Sequence, residues 1–261
     1  MADTAPLATK SMHESYTLGY SETALGFVSR RTLESHGAFF IPSLQPGMTV
    51  LDCGCGPGSI TLGIATRIGD GRVIGVDLNP SQVQVASESA QRHGIANASF
   101  REGSAYELPF PSDGFDAVFS HALLEHLNDA GRAIREFLRV LRPGGVAGVC
   151  TPDWGGFIGS PPTPELMAAL RAHNEIQNRH GGDTLVGRKL LGLMLDAGFA
   201  EVKAQARYQN YDDLTEITGA LAVQLEHGGQ HQHAEAIRAW GRQPVAMFAQ
   251  AWVSCVGRRP R

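Results

Sequence analysis

From residue 48 to about residue 150 the chain alternates short apolar runs with stretches whose apolar residues recur every three or four positions. Thr49–Cys53 (TVLDC) has the continuous apolar character of a strand buried on both faces, and the turn GCGPG follows it. Ser59–Ile68 sets Ile60, Ile64, Ala65 and Ile68 on one helical face. Residues 72–78 (RVIGVDL) form a second predicted strand. Asn79 then supplies an N-cap, Pro80 a first helical position and Gly94 a C-terminal stop. Residues 98–104 and 115–120 are the third and fourth predicted strands. The clearest helix spans 129–141, where Ala130, Ala133, Ile134, Phe137, Leu138 and Leu141 keep the i, i+3, i+4 spacing. Pro143-Gly144-Gly145 stops it, and VAGVC opens a fifth strand. Strands alternating with helices imply parallel pairing through right-handed crossovers, hence an α/β, doubly wound sheet.

After residue 152 the pattern changes. TPDWGGFIGSPPTP is rich in glycine, proline and aromatics and reads as irregular. Helices are predicted over 164–180 and 187–197, a strand over 199–208, and helix again over 212–243 with a break at Gly228-Gly229. Residues 251–257 make a final strand. There is no internal repeat of 20–50 residues and no low-complexity segment. This organisation reads as one domain over 1–261: an N-terminal helical cap (1–47), a core (48–152), and a segment (153–250) with helical insertions that cover the active-site edge.

Composition narrows the function classes. A formal charge of −4 and a pI near 6.2 give no electrostatic attraction to nucleic acid or to an anionic membrane. Arg258, Arg259 and Arg261 form the one basic cluster and read as a solvated end. The first residues contain no apolar run, and no stretch approaches the roughly 20 residues that span a bilayer, so neither signal peptide nor membrane anchor is expected. The four cysteines show no CxxC pair and no zinc spacing, which suits a reduced, cytoplasmic setting with no metal.

The chemistry concentrates at Val50-Leu51-Asp52-Cys53-Gly54-Cys55-Gly56-Pro57-Gly58. Glycine tolerates the positive φ of a tight strand-to-helix turn and lets a ligand approach the backbone. A lone GxGxG is weak evidence for nucleotide binding. Asp77 strengthens it, because a carboxylate at the end of the second strand can accept both hydroxyl protons of a ribose. Gly103-Ser104-Ala105 and Ser120-His121 end the third and fourth strands beside the same crevice, where open α/β sheets bind ligands.

Residues 48–150 resemble the class I S-adenosylmethionine (SAM)-dependent methyltransferases, among them the small-molecule branch with the ubiquinone/menaquinone-biosynthesis enzymes. The matching pieces are VLDCGCGPG, GVDLNP, EGSAYELPFPSDGFDAVFSHALLEHLNDA and RVLRPGG, in that order. The resemblance implies a Rossmann-like, seven-stranded, mostly parallel sheet with the last strand antiparallel, and SAM as methyl donor with S-adenosylhomocysteine (SAH) as product. It assigns Asp52, Gly54, Cys55 and Gly56 to the methionine portion, Asp77 to the ribose, Leu78, Ser104 and Ala105 to the adenine, and His121 to the methionine end. Ser104 is a departure, since many relatives carry aspartate there. Tyr16 and Tyr20, four apart, can share a helical face; in similar enzymes an aromatic from this region lies beside the sulfonium or the acceptor. Packing of that helix onto the sheet explains both tyrosines equally well. Arg30 and Arg31 are candidates for the SAM carboxylate, Arg31 ahead of Arg30; a solvated surface pair explains both equally well.

A general base is required only where the acceptor must lose a proton. His121, Tyr20 and His126 are the candidate catalytic groups, and His173 and His180 can face the acceptor. His227, His231 and His233 read as solvated residues of a hinge. Trp154, Phe157 and the helices over 163–180 and 211–243 are expected to contact a small-molecule acceptor. Two other readings stay open: a SAM-binding protein that transfers no methyl group, and an NAD(P)-dependent oxidoreductase, whose fingerprint wants a glycine where Ser59 stands.

Overall fold

A computed structural model describes Gly26 and residues 29–261; Tyr16 and Tyr20 lie outside the described residues. The five parallel strands are β1 (Thr49–Cys53), β2 (Arg72–Asp77), β3 (Ala98–Glu102), β4 (Phe115–His121) and β5 (Leu141–Ser160). With β6 (Ala200–Asn210) and β7 (Met247–Arg258) they form one seven-stranded sheet in the order β3-β2-β1-β4-β5-β7-β6. The last strand of the chain, β7, runs antiparallel to both neighbours. The strand order reverses between β1 and β4, the switch point at which doubly wound sheets open a ligand crevice.

Helices cover both faces. On one, α1 (Leu33–His36) and α2 (Ser59–Ile68) pack with Phe40 and Leu44 against Val50, Val73 and Phe119. On the other, α4 (Ala130–Val140) and α6 (Val186–Asp196) bury Ile134, Phe137, Leu190 and Met194 against β1, β4 and β5. Helix α3 (Pro80–Arg92) begins as expected, with Asn79 Oδ1 accepting the Ser81 N–H at 2.8 Å and Pro80 at the first position. Asp129 caps α4 in the same way through the Arg132 N–H.

Three helices, α5 (Pro164–Arg179), α7 (Leu214–His227) and α8 (His231–Gly241), pack on one another around Leu166, Leu221, Ile237 and Trp240. This second core is joined to the sheet by Phe248, and its helices fall in the segment 153–250 where helical insertions were expected to act as a lid. Helix α6 is a layer of the sheet sandwich and not part of that lid. The segment 152–160, expected to be irregular, is instead the far half of β5. Ile158, Gly159 and Ser160 pair with Ala249, Phe248 and Met247 across a bulge after Asp153. Its partner strand lies almost a hundred residues away, so no local pattern marks it.

The C-terminal arginines are engaged. Arg259 binds the carbonyls of Leu138, Arg139 and Leu141 at the end of α4, where a cation opposes the helix dipole, and pairs with Asp113 at 2.5 Å. Among the described residues no helix is long and apolar enough to cross a membrane.

Candidate active site

The glycine turn leaves β1 at Cys53 and enters α2 at Ser59. Gly54, Gly56 and Gly58 take φ of +77°, +51° and +81°, conformations that strain any residue with a Cβ. The N–H groups of Gly54 and Cys55 donate to the Val76 carbonyl at 2.8 and 3.0 Å, which ties the turn to the end of β2. A Cβ on Gly56 would meet nothing within 4 Å, so that side of the turn is open.

Asp77 completes the corner. Its Oδ2 accepts the Gly56 N–H at 2.9 Å and its Oδ1 the Asn79 N–H at 3.0 Å. Burial raises its pKa, opposed by hydrogen bonds from the backbone N–H groups of Asn79, Gly56 and Leu78. The adjoining Leu78 is 60% exposed, a bare apolar surface next to an acid. Ser104 and Ala105 follow β3; the Ser104 hydroxyl accepts the Tyr106 N–H at 3.2 Å, and Ala105 packs half-buried on the core. Asp52 is buried, and its Oδ2 accepts the Thr61 hydroxyl at 2.5 Å. Burial pushes its carboxyl up to about 7; the Thr61 bond lowers it and Asp77 adds to the rise.

Across the crevice, β4 ends in His121, stacked on Trp252 at 4.8 Å and edge-on to His36 at 5.3 Å. Neither ring nitrogen has a hydrogen-bond partner among the described residues. Burial, aided by the charge of Arg31, holds its pKa well below the usual value. Ala122 follows with φ of +55°, uncommon for a residue other than glycine, and redirects the chain into a short 3₁₀ turn, Leu124–His126.

That turn forms one wall of a second cavity, with a volume of about 60 Å³. Ala122, Glu125, His126 and Pro152 line it from the sheet; Trp154, His173, Gln177 and Gln224 line it from β5 and the lid. Arg31, Tyr211, Gln250 and Trp252 complete the wall. The Arg31 guanidinium lies 5.6 Å from the centre of the Trp252 ring. Glu125 is buried; its Oε2 accepts the Thr151 hydroxyl at 2.8 Å, and its Oε1 is 3.7 Å from His126 Nε2. Burial pushes Glu125 up to about 7, the Thr151 bond and Arg31 opposing it. Burial also brings His126 down to about 3 and His173 to about 4, so both imidazoles are neutral at physiological pH.

Residues 44–212 match the family model of a methyltransferase domain. The chain belongs to that family. It is 35% identical to an uncharacterized methyltransferase of Schizosaccharomyces pombe over 175 residues, 65% of this chain and 63% of the relative. It is 37% identical to the ubiquinone/menaquinone biosynthesis C-methyltransferase UbiE of Vibrio campbellii over 118 residues, 44% of this chain and 43% of the relative. The chain thus spans less than two thirds of the length of either. The crystal structure of YcgJ from Bacillus subtilis shares the fold, with a TM-score of 0.62 at 23% identity over 86% of this chain and 97% of that one. The class I SAM-dependent methyltransferase resemblance carried by the sequence motifs is thereby shown.

The turn residues Gly54, Cys55 and Gly56 lie with Asp52, Asp77 and Leu78 at the carboxyl ends of β1 and β2, and Ser104 and Ala105 at that of β3. His121, His126 and Arg31 stand on the other side, around the second cavity and its Trp252 wall. Trp154 and His173 line that cavity, in contact at 4.4 Å. Phe157, expected to touch the acceptor, instead stacks on Phe248 at 5.9 Å inside the lid core. His180 is the C-cap of α5. His227 and His231 are exposed and His233 half-buried, and among the described residues no group of three or more His, Cys, Asp or Glu could hold a metal ion. Gln177 falls in the helix over 163–180 that was expected to contact the acceptor, whereas Glu125, Gln250 and Trp252 escaped sequence reasoning. Within LLEHL the glutamate beside a histidine was the available signal.

Proposed function

We propose that this methyltransferase moves a methyl group from SAM to a small-molecule acceptor by direct displacement, releasing SAH. The carrying observation is the corner formed by Asp77 and the open Gly56, with Leu78 bare beside it. It fits an adenosine: the Asp77 carboxylate accepts the ribose hydroxyls, Leu78 and Ala105 flank the base, and Ser104 meets its edge. Asp52, Gly54, Cys55 and Gly56 hold the methionine portion, and His121 stands at its end. Tyr20, from the N-terminal segment, is the proposed aromatic neighbour of the sulfonium. Bound there, SAM supplies an electrophilic methyl group on a cationic sulfur.

The chain's own work is alignment and exclusion of water. Ala122 joins the end of β4 to the second cavity, which holds the acceptor under α5 and α7. Such orientation is worth about 7–11 kcal/mol of barrier. Arg31, in the cavity wall over Trp252, serves the acceptor side in this reading. A cavity walled by side chains and roofed by the lid, in a chain of net charge −4, supports a metabolite acceptor over nucleic acid.

Incubation of the protein with methyl-labelled SAM and a deproteinised cell extract tests this. Label is expected in low-molecular-weight products with matching release of SAH. Label confined to added protein or nucleic acid, or none at all, contradicts the proposal.

A further inference from the structure

The second cavity has an unusual lining. Its amides are buried; Gln224 is hydrogen-bonded to His173, and Gln250 Oε1 lacks a hydrogen-bond partner among the described residues. A buried carbonyl oxygen is rarely left unpaired, so a ligand that donates a hydrogen bond suits it. The aromatic rings of Trp154, Tyr211 and Trp252 wall the same space and suit a flat partner.

Glu125 stands among these groups as the cavity's carboxyl group. Its backbone carbonyl is clamped by Gln177 Nε2 at 2.8 Å and the Asp183 N–H at 3.0 Å. Its side chain is held by the Thr151 hydroxyl and lies beside His126. Gly182 is part of this clamp, because a Cβ there would stand 2.3 Å from the Glu125 carbonyl oxygen. So precise a mounting for a buried acid exceeds what packing requires.

We infer, resting on the methyl-transfer reading above, that the acceptor is a flat compound attacking through a hydroxyl oxygen, and that Glu125 is the base that takes its proton. The O–H proton passes to a carboxylate oxygen of Glu125. The hydroxyl oxygen's lone pair forms the new O–C bond while the S–C bond breaks and its electron pair stays on sulfur. A cationic donor, a neutral hydroxyl and a carboxylate thus become a neutral thioether, a methyl ether and a carboxylic acid.

The surroundings favour this assignment over the alternatives. The groups facing Glu125 are Arg31 from the N-terminal segment, His126 on its own turn, His173 on α5, Cys150 and Thr151 on β5, and Tyr211 ahead of α7. The imidazoles are neutral, and Arg31 repels an acceptor that arrives as an ammonium ion. A carboxyl that titrates near 7 is matched to removing a proton at neutral pH, which a histidine held near 3 is not. A thiol ionises readily without help and donates poorly to amide oxygens.

The test uses the full chain with SAM and three ring-matched probes: 4-methylphenol, 4-methylbenzylamine and 4-methylthiophenol. The methylphenol, which stays neutral in solution near pH 7, is expected to be methylated in preference, with a kcat/KM that rises with pH through about 7 as Glu125 ionises. Glu125→Gln should lower kcat about 10²–10⁴-fold and abolish that rise while SAM affinity, measured by calorimetry, is unchanged. Glu125→Asp should restore part of the rate. A readout without turnover uses SAH in place of SAM and follows binding of 4-methylphenol, which stays neutral in solution across pH 6–8. Its affinity should rise with pH through about 7 in wild type, as Glu125 ionises and accepts the hydroxyl, and stay flat in Glu125→Gln. Preference for the amine or thiol, methylation of none of the three by protein that binds SAM, equal rates in Glu125→Gln, or a lost rate with the pH rise intact overturns the inference. Failure to bind SAM overturns the methyl-transfer reading beneath it.

Discussion

Asp77 Oδ2 accepts the backbone N–H of Gly56 at 2.9 Å, so the acid at the end of β2 and the glycine turn after β1 form one rigid corner. The account places the ribose there. Asp77→Ala should therefore weaken SAM binding by about 1.5–3 kcal/mol, the range for a hydrogen bond to a charged group. Calorimetry reads this as about a 10- to 150-fold rise in Kd. An unchanged Kd would remove Asp77 from the site.

Gly54→Ala places a Cβ at φ of +77° and 3.1 Å from the Leu123 side chain. The left-handed conformation alone costs about 1–2 kcal/mol. Urea denaturation should show a loss of at least that size, together with weaker SAM binding. Wild-type stability in this variant would show that the turn is not held as described.

Trp252 is buried between His121, His36 and Arg31. Trp252→Ala should cost about 3–5 kcal/mol of stability, as large-to-small changes of buried aromatics do. It also removes the wall common to His121 and the acceptor cavity. Trp252→Phe should recover most of the stability in the same denaturation experiment.

Buried titratable groups shape the pH dependence of stability in two opposing ways. Burial holds His36 and His126 down to about 3 and His173 to about 4, with His121 also lowered, so their stabilising effect is lost as pH falls below about 6.5. Asp52 and Glu125 are raised to about 7, so their stabilising effect is present in acid and lost as pH rises through about 7. Between about pH 4.5 and 6.5 the four histidines outweigh the two carboxyls, so stability falls as pH falls across that window. Below about pH 4 the carboxyls are protonated folded or unfolded, and the histidines act alone, joined by Glu136, held low chiefly by Arg139. The thermal midpoint should be highest near pH 7, decline as pH falls below about 6.5 and collapse below 4. An equal midpoint at pH 5 and pH 7 contradicts this assignment.

What the sequence made legible was local. The glycine turn, the Asn79-Pro80 helix start, the Asp129 cap and the order of β1 to β5 each announce themselves within a few residues, and the donor half of the candidate site follows from them. The acceptor half does not. Glu125, Gln177, Gln250 and Trp252 come from three elements, the 3₁₀ turn, α5 and β7, that meet only because β7 inserts between β5 and β6 and the helices fold back over them. The far half of β5 was hidden for the same reason, since residues 158–160 gain their partners from 247–249. Arg31 illustrates the limit. Its charge marked it as functional, but only the fold sets it over Trp252, in the acceptor cavity.

Calorimetric titration of the purified, folded protein with SAM and with SAH, NADH serving as control, tests the central claim most directly. The account predicts one site per chain with micromolar affinity for both sulfur nucleosides, about −8 kcal/mol, and no heat with NADH. Absence of binding by SAM and SAH, or binding of NADH in their place, would contradict it.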